Sequence, residues 1–116
     1  TDLTRFVTTP GYRGHASPDS PESRLLGGPV LENKAAATAA NPIHYVSKDD
    51  PPFLIYHGSA DPTVPPNQSQ LLHAALNRAG VPSTLNILEN ARHGGREFST
   101  PEVQRTTLAF LRKSLK

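Results

Sequence analysis

The chain has 116 residues, a formal net charge of +2, no cysteine and 35% hydrophobic residues, a low apolar content beside the roughly 45–50% of typical globular domains. The lack of cysteine excludes disulfide bonds and a thiol nucleophile, and the scattered Lys and Arg residues form no basic patch for nucleic acid. Because no apolar stretch approaches the roughly 20 residues of a membrane-spanning helix, we expect a small, loop-rich, soluble chain whose cellular compartment the sequence leaves undetermined.

Residues 1–50 are predicted to form a loop-rich segment with short helices. Ser20 is well placed to cap one helix, and Gly27 to end it. Leu25 and Leu26, near the end of that helix, are expected to be its buried contacts. An alanine-rich helix should follow, and residues 43–46 are expected to be extended.

Residues 51–116 are predicted to form a unit in which two parallel strands alternate with two helices. The apolar runs at 53–56 and 84–88 are bounded by turn-forming residues, as buried strands are. Between them, Asn67 is the expected N-cap of a helix whose apolar residues recur at helical spacing and which ends at Gly80. A strand, a helix and a strand with short connections make a right-handed βαβ unit.

The last helix should begin at Ser99 or Thr100, pack on the sheet and close the fold. Arg112, Lys113 and Lys116 lie near its predicted C-terminal end, where positive charge is favourable. Two parallel strands alone cannot bury both of their faces. We therefore expect the sheet to be completed by an N-terminal half outside this sequence or by a second copy of the chain.

Two polar side chains follow the two predicted strands. Asp61 lies on the loop after the first strand, which Pro62 stiffens, and His93 lies on the loop after the second. Because parallel strands end at one edge of a sheet, the two loops should lie together. Asp61 would then bind one ring nitrogen of His93 and leave the other as a general base. The alternative is an Asx-turn, in which Asp61 binds only its own backbone.

The remaining candidate side chains favour other roles. His57 lies at a strand end and is expected to support the loop, whereas Ser59 shares the loop of Asp61 and is badly placed for a nucleophile. Phe6, Tyr12 and Arg13 are candidates for lining a substrate pocket. The sequence predicts no metal site and no cofactor, because no acidic or histidine cluster has a third ligand at useful spacing.

Several motifs resemble those of α/β-hydrolases. They are, in chain order, Ser20–Pro29, Asn41–Val46, His57-Gly58-x-x-Asp61-x-x-Val64-Pro65 and His93-Gly94-Gly95. The likeness covers nearly the whole chain and is to the bacterial esterase/lipase group related to carboxylesterases and prolyl-oligopeptidase-type enzymes. It implies the C-terminal part of an α/β-hydrolase fold, with Asp61 as the triad acid and His93 as the triad base.

The chain contains no Gly-x-Ser-x-Gly motif, so the resemblance implies that the nucleophilic serine lies upstream of Thr1. The main hypothesis is a serine ester hydrolase that acts on a small ester. The alternatives are a prolyl-oligopeptidase-type peptidase and a non-catalytic, hydrolase-like fragment that self-associates through exposed strand edges. Arg92 stands where the esterase group usually has a small residue, and it is a candidate for binding an anionic group of the substrate.

Overall fold

The computed structural model describes residues 1–115, which contain five α-helices and a sheet of two parallel strands. The helices are α1 (Leu3–Thr8), α2 (Pro21–Leu26), α3 (Lys34–Ala39), α4 (Asn67–Arg78) and α5 (Pro101–Ser114). The strands are β1 (Phe53–Gly58) and β2 (Ser83–Leu88). Short 3₁₀ turns lie at Arg13–Ala16, Val30–Glu32, Pro42–Tyr45 and Arg96–Ser99. The mixed α/β fold with a small parallel sheet is confirmed, and Lys116 lies outside the described residues.

The N-terminal segment contains a cluster of buried apolar residues. Leu3, Phe6 and Val7 are almost fully buried on one face of α1, where Val30 and Ala37 pack against them. Residues three and four positions apart share one face of a helix, so this spacing is itself a helical signal. The N-terminal segment therefore has a small hydrophobic core of its own and is not only a series of loops.

Several helix ends lie where the sequence predicts them. The Ser20 hydroxyl accepts a hydrogen bond from the Ser23 amide at 3.1 Å, and Thr100 caps α5 by accepting one from Val103 at 3.3 Å. Gly27 ends α2 in the left-handed conformation, with φ 79°, which costs glycine little. These caps are confirmed, and they fix the helix boundaries by satisfying terminal backbone groups.

The predicted cap at Asn67 is wrong, because α4 begins one residue earlier than a capping Asn would require. Pro66 occupies the N-cap position, and Asn67 is already helical. Its side chain instead donates a hydrogen bond to the Thr9 hydroxyl at 2.9 Å. The next residue, Gln68, accepts one from the backbone amide of Asp2 at 2.6 Å. The start of α4 is thus joined to both ends of α1.

Two further local predictions are wrong. The predicted burial of both leucines holds for Leu26, which packs against the core, but is wrong for Leu25, which is 73% exposed. Residues 43–46 are not extended, since most of them belong to the 3₁₀ turn Pro42–Tyr45. The Asn41 side chain accepts a hydrogen bond from the amide of Ile43 at 3.1 Å, and this cap favours the turn over an extended chain.

The sheet is less buried than expected. The first four residues of β1 are only half-buried, because β1 has a single strand neighbour within residues 1–115. A groove of about 500 Å³ lies between β2 and the first turns of α5, and Leu108 and Leu111 are 48% and 42% exposed. The prediction that the last helix packs on the sheet is therefore wrong for its later turns, which lack neighbours in the described chain.

Over residues 1–115, none of the helices combines the length and the apolar content that crossing a bilayer requires.

The end of β1 lies directly against the loop that follows β2. A Cβ added at Gly58 would lie 2.2 Å from the carbonyl oxygen of Ala91 and 2.3 Å from that of Arg92. Just beyond, the amide of Ala60 donates a hydrogen bond to the same Ala91 oxygen at 3.0 Å. Only glycine leaves room for this approach, so Gly58 determines how closely the two loops meet.

We predict that Gly58→Ala destabilises the protein and displaces the loop at residues 91–92. The new methyl group would meet backbone rather than a flexible side chain, and such overpacking costs about 1–3 kcal/mol of unfolding free energy. Urea denaturation measures this loss. Gly14→Ala is the matched control, because its added Cβ meets no atom within 4 Å and it should be neutral or slightly stabilising. Equal losses in the two variants would contradict the close contact.

Candidate active site

The loop after β2 is fixed by the loop after β1. The Ser59 hydroxyl accepts a hydrogen bond from the amide of Asn90 at 2.8 Å. Asn90 has φ 58°, a left-handed conformation that Asn tolerates better than most residues. Ala91 is fully buried, so the chain is anchored immediately before His93. Ser59 therefore supports this loop, in keeping with the expectation that it is not the nucleophile.

Asp61 uses its two carboxylate oxygens for different purposes. Oδ1 accepts hydrogen bonds from the backbone amides of Thr63 at 2.8 Å and Val64 at 2.9 Å, which is an Asx-turn. Oδ2 lies 2.9 Å from Nδ1 of His93. The two alternatives drawn from the sequence are thus both present, since the backbone turn occupies one oxygen and leaves the other for the imidazole.

The charge on Asp61 determines the proton position on His93. Burial disfavours the ionised carboxyl, but hydrogen bonds from Val64, His93 and Thr63 outweigh it, so the pKa of Asp61 lies below its ordinary value. An ionised carboxylate can only accept hydrogen bonds, and Nδ1 of His93 must therefore carry the hydrogen. In the neutral ring Nε2 then keeps a lone pair, on a side chain that is 58% exposed. This arrangement can accept a proton from a group that approaches from solvent.

Two other side chains contact the Asp61 loop. His57 is buried, and its Nε2 lies 3.2 Å from Asp61 Oδ2, as expected for a residue that supports the loop. The Tyr12 hydroxyl donates a hydrogen bond to the backbone carbonyl of Asp61. Burial and the Asp61 charge raise the pKa of Tyr12, so its hydroxyl remains a donor. Tyr12 therefore ties the N-terminal segment to the loop, a role that the pocket-lining interpretation did not include.

The other histidines lie outside this cluster. His15 contacts Glu22 at 3.0 Å and His73 contacts Ser83 at 2.9 Å, whereas His44 is exposed. Among residues 1–115, no group of three or more His, Cys, Asp or Glu side chains is arranged to hold a metal ion. Asp61 and His93 are the candidate acid–base pair of the described chain, and Arg92 is exposed beside His93.

Curated proteins similar to this chain include an esterase. Residues 1–76 match the BD-FAE family model. Esterase LipQ of Mycobacterium tuberculosis (strain ATCC 25618 / H37Rv) is 43% identical over 74 residues, which are 62% of this chain and 17% of LipQ. The non-reducing polyketide synthase mapC' of Penicillium brevicompactum is 32% identical over 91 residues, which are 78% of this chain and 4% of that protein. The chain thus spans a small part of each relative.

Two solved structures are also similar to this chain over most of its length. A truncated form of a carbohydrate esterase from gut microbiota superposes on 86% of this chain with a TM-score of 0.77 and 34% identity, and the match covers 35% of that structure. A bifunctional GH43-CE protein of Bacteroides eggerthii superposes on 99% of this chain with a TM-score of 0.85 and 28% identity, and the match covers 14% of that structure. The chain therefore belongs to the BD-FAE family of esterase-type hydrolases and has a partial α/β-hydrolase fold.

Proposed function

We propose that this chain is the acid- and base-bearing portion of a serine ester hydrolase. The observation that carries the proposal is the 2.9 Å contact between Asp61 Oδ2 and His93 Nδ1, at the ends of two adjacent parallel strands. The acid precedes the histidine in the chain, as in α/β-hydrolases, where the serine comes earlier still. An esterase and a carbohydrate esterase among the similar proteins support an ester as the substrate.

In the proposed mechanism a serine hydroxyl attacks the ester carbonyl while His93 Nε2 takes its proton. The resulting imidazolium is stabilised by the Asp61 carboxylate at Nδ1. Backbone amides outside this chain would hold the oxyanion. Collapse of the tetrahedral intermediate transfers the proton from Nε2 to the leaving alcohol. Water then attacks the acyl-enzyme with the same histidine as base, which releases the acid and restores the serine.

We further propose that residues preceding Thr1 in a longer protein supply the serine and the missing strands. The exposed edge of β1 and the half-buried face of the sheet need neighbours. Both solved structures place an equivalent of this chain within a much longer one. This favours completion by the same polypeptide over completion by a second copy, which remains the alternative outcome of the oligomer test below.

We predict that His93→Ala, introduced into the complete hydrolase, lowers kcat by about 10⁴-fold or more, because both proton transfers lose their base and acid. Hydrolysis of a short-chain p-nitrophenyl ester measures the rate. His44→Ala is the control, since His44 is exposed and remote in sequence from both loops. A nearly unchanged rate in His93→Ala would contradict the role of His93 as the catalytic base. Faster cleavage of a matched anilide than of the ester by the wild type would favour a peptidase.

We predict that the stability difference between the wild type and Asp61→Asn shrinks as the pH falls. Because the folded-state pKa of Asp61 is lowered, its charge stabilises the fold above the unfolded pKa of about 3.9, and this contribution is lost as the pH falls through the lower folded value. Unfolding midpoints of the complete hydrolase between about pH 6 and pH 2 measure the effect. Asp49→Asn, on an exposed turn, controls for removal of a surface carboxylate. A difference that stays constant would contradict ionisation-linked stabilisation at Asp61.

We predict that the 116 residues expressed alone do not melt cooperatively as a monomer. The half-buried β1 and the exposed Leu108 and Leu111 leave too much apolar surface without a neighbour. Sedimentation combined with thermal unfolding tests this, with the longer parent protein as the control. A compact monomer with one cooperative transition would contradict the proposed need for neighbouring strands, whereas a stable dimer would favour the second copy.

A further inference from the structure

His57 lies at the centre of a buried hydrogen-bond network behind Asp61. Its Nδ1 is 2.6 Å from the Ser69 hydroxyl oxygen, on the first turn of α4. Its Nε2 is 2.9 Å from the Val64 carbonyl oxygen and 3.2 Å from Asp61 Oδ2. The His57 side chain is 9% exposed, so solvent has little access to either nitrogen.

These contacts determine the tautomer of His57. A carbonyl oxygen and an ionised carboxylate oxygen can only accept hydrogen bonds. The hydrogen must therefore be on Nε2, because a lone pair there would face the oxygens of Val64 and Asp61. In the neutral ring Nδ1 is then an acceptor, and the hydroxyl of Ser69 can donate to it. In this neutral form the network is satisfied when the Ser69 hydroxyl is the donor and the Val64 carbonyl the acceptor.

Val64 connects this network to the candidate active site. Its amide donates to Asp61 Oδ1 at 2.9 Å, and its carbonyl accepts from His57 Nε2. Movement of Val64 would therefore change the Asx-turn that fixes the Asp61 carboxylate. The turn sets the direction of Oδ2, which is the atom that meets His93.

We propose that His57, in the neutral Nε2–H form selected by Ser69, is a positioning residue that holds the Asp61 turn so that Oδ2 faces His93. It acts through Asp61 and Val64 and does not touch the substrate. The effect on turnover rests on the function proposed above, whereas the tautomer does not. The competing arrangement is a charged His57 that donates from both nitrogens and draws the Asp61 charge away from His93.

The tautomer is measured directly in the complete hydrolase with ¹⁵N-labelled histidine. Long-range ¹H–¹⁵N correlation spectra near neutral pH should show His57 with a hydrogen on Nε2 and none on Nδ1. The His57→Gln variant assigns the signal by its loss. A hydrogen on Nδ1 alone, or on both nitrogens, would overturn the proposal. In Ser69→Ala the Nδ1 signal should shift, and an unchanged spectrum would remove Ser69 from the network.

The positioning role is measured by turnover per active site, counted with a fluorophosphonate that labels the serine. His57→Leu should lower kcat by about 10–100-fold, as loss of a residue that orients a reacting group does, with little change in KM. His57→Gln can still place an N–H near the Val64 carbonyl and should recover most of the loss. His73→Gln is the matched control, since His73 also contacts a serine hydroxyl but not Asp61.

The outcomes separate the two proposals. Equal kcat per labelled site in His57→Leu and His73→Gln would overturn the positioning role, as would equal losses in His57→Leu and His57→Gln. If His57→Leu fails to fold, the tautomer of the wild type and the turnover of His57→Gln still test the role. A fully active His93→Ala would instead refute the proposed function, with the tautomer of His57 still measured independently.

Discussion

The close contact between Gly58 and the backbone at Ala91 and Arg92 is the constraint on which the candidate site depends. Parallel pairing ends β1 and β2 at the same edge, with Gly58 opposite Leu88. That register alone leaves the following loops free to diverge. The missing side chain at Gly58 lets the second loop lie against the first, and His93 thereby reaches the carboxylate of a residue 32 positions earlier in the chain.

A short acidic side chain suits this position because its oxygens are used separately. The Asx-turn needs a carboxylate close to its own backbone, and Oδ1 of Asp61 satisfies it through Thr63 and Val64. The turn fixes the side-chain rotamer of Asp61. Directing Oδ2 at His93 therefore costs little additional side-chain entropy. The same backbone hydrogen bonds offset the cost of burying the charge. Local turn chemistry and the acid–base contact are therefore one arrangement rather than competing ones.

The sequence predicted the caps at Ser20 and Thr100 from local spacing. It also predicted the parallel βαβ order, which brings the ends of both strands to one edge and so places Asp61 beside His93. The sequence did not predict individual side-chain hydrogen bonds between distant elements. Examples are the hydrogen bond from the Tyr12 hydroxyl to the Asp61 carbonyl and the one from the Asn67 side chain to the Thr9 hydroxyl. A polar side chain at a helix start satisfies a cap or a distant partner equally well, and sequence alone does not distinguish these. Burial was overestimated at the sheet and α5 because it depends on neighbours.

The support of the acid loop and the position of the base come from different parts of the chain. Tyr12, His57 and Ser69 all lie within residues 1–76, the range that matches the family model; Tyr12 and His57 contact Asp61, and Ser69 contacts His57. His93 lies beyond that range, and the pairing of β2 with β1 brings it to the loop. The match to the family model therefore covers the Asp61 loop but not His93, which the pairing of the two strands places beside that loop. Because Asp61 is fixed from several sides within residues 1–115, its orientation does not require the nucleophile, and a serine supplied from elsewhere would meet an acid–base pair already in place.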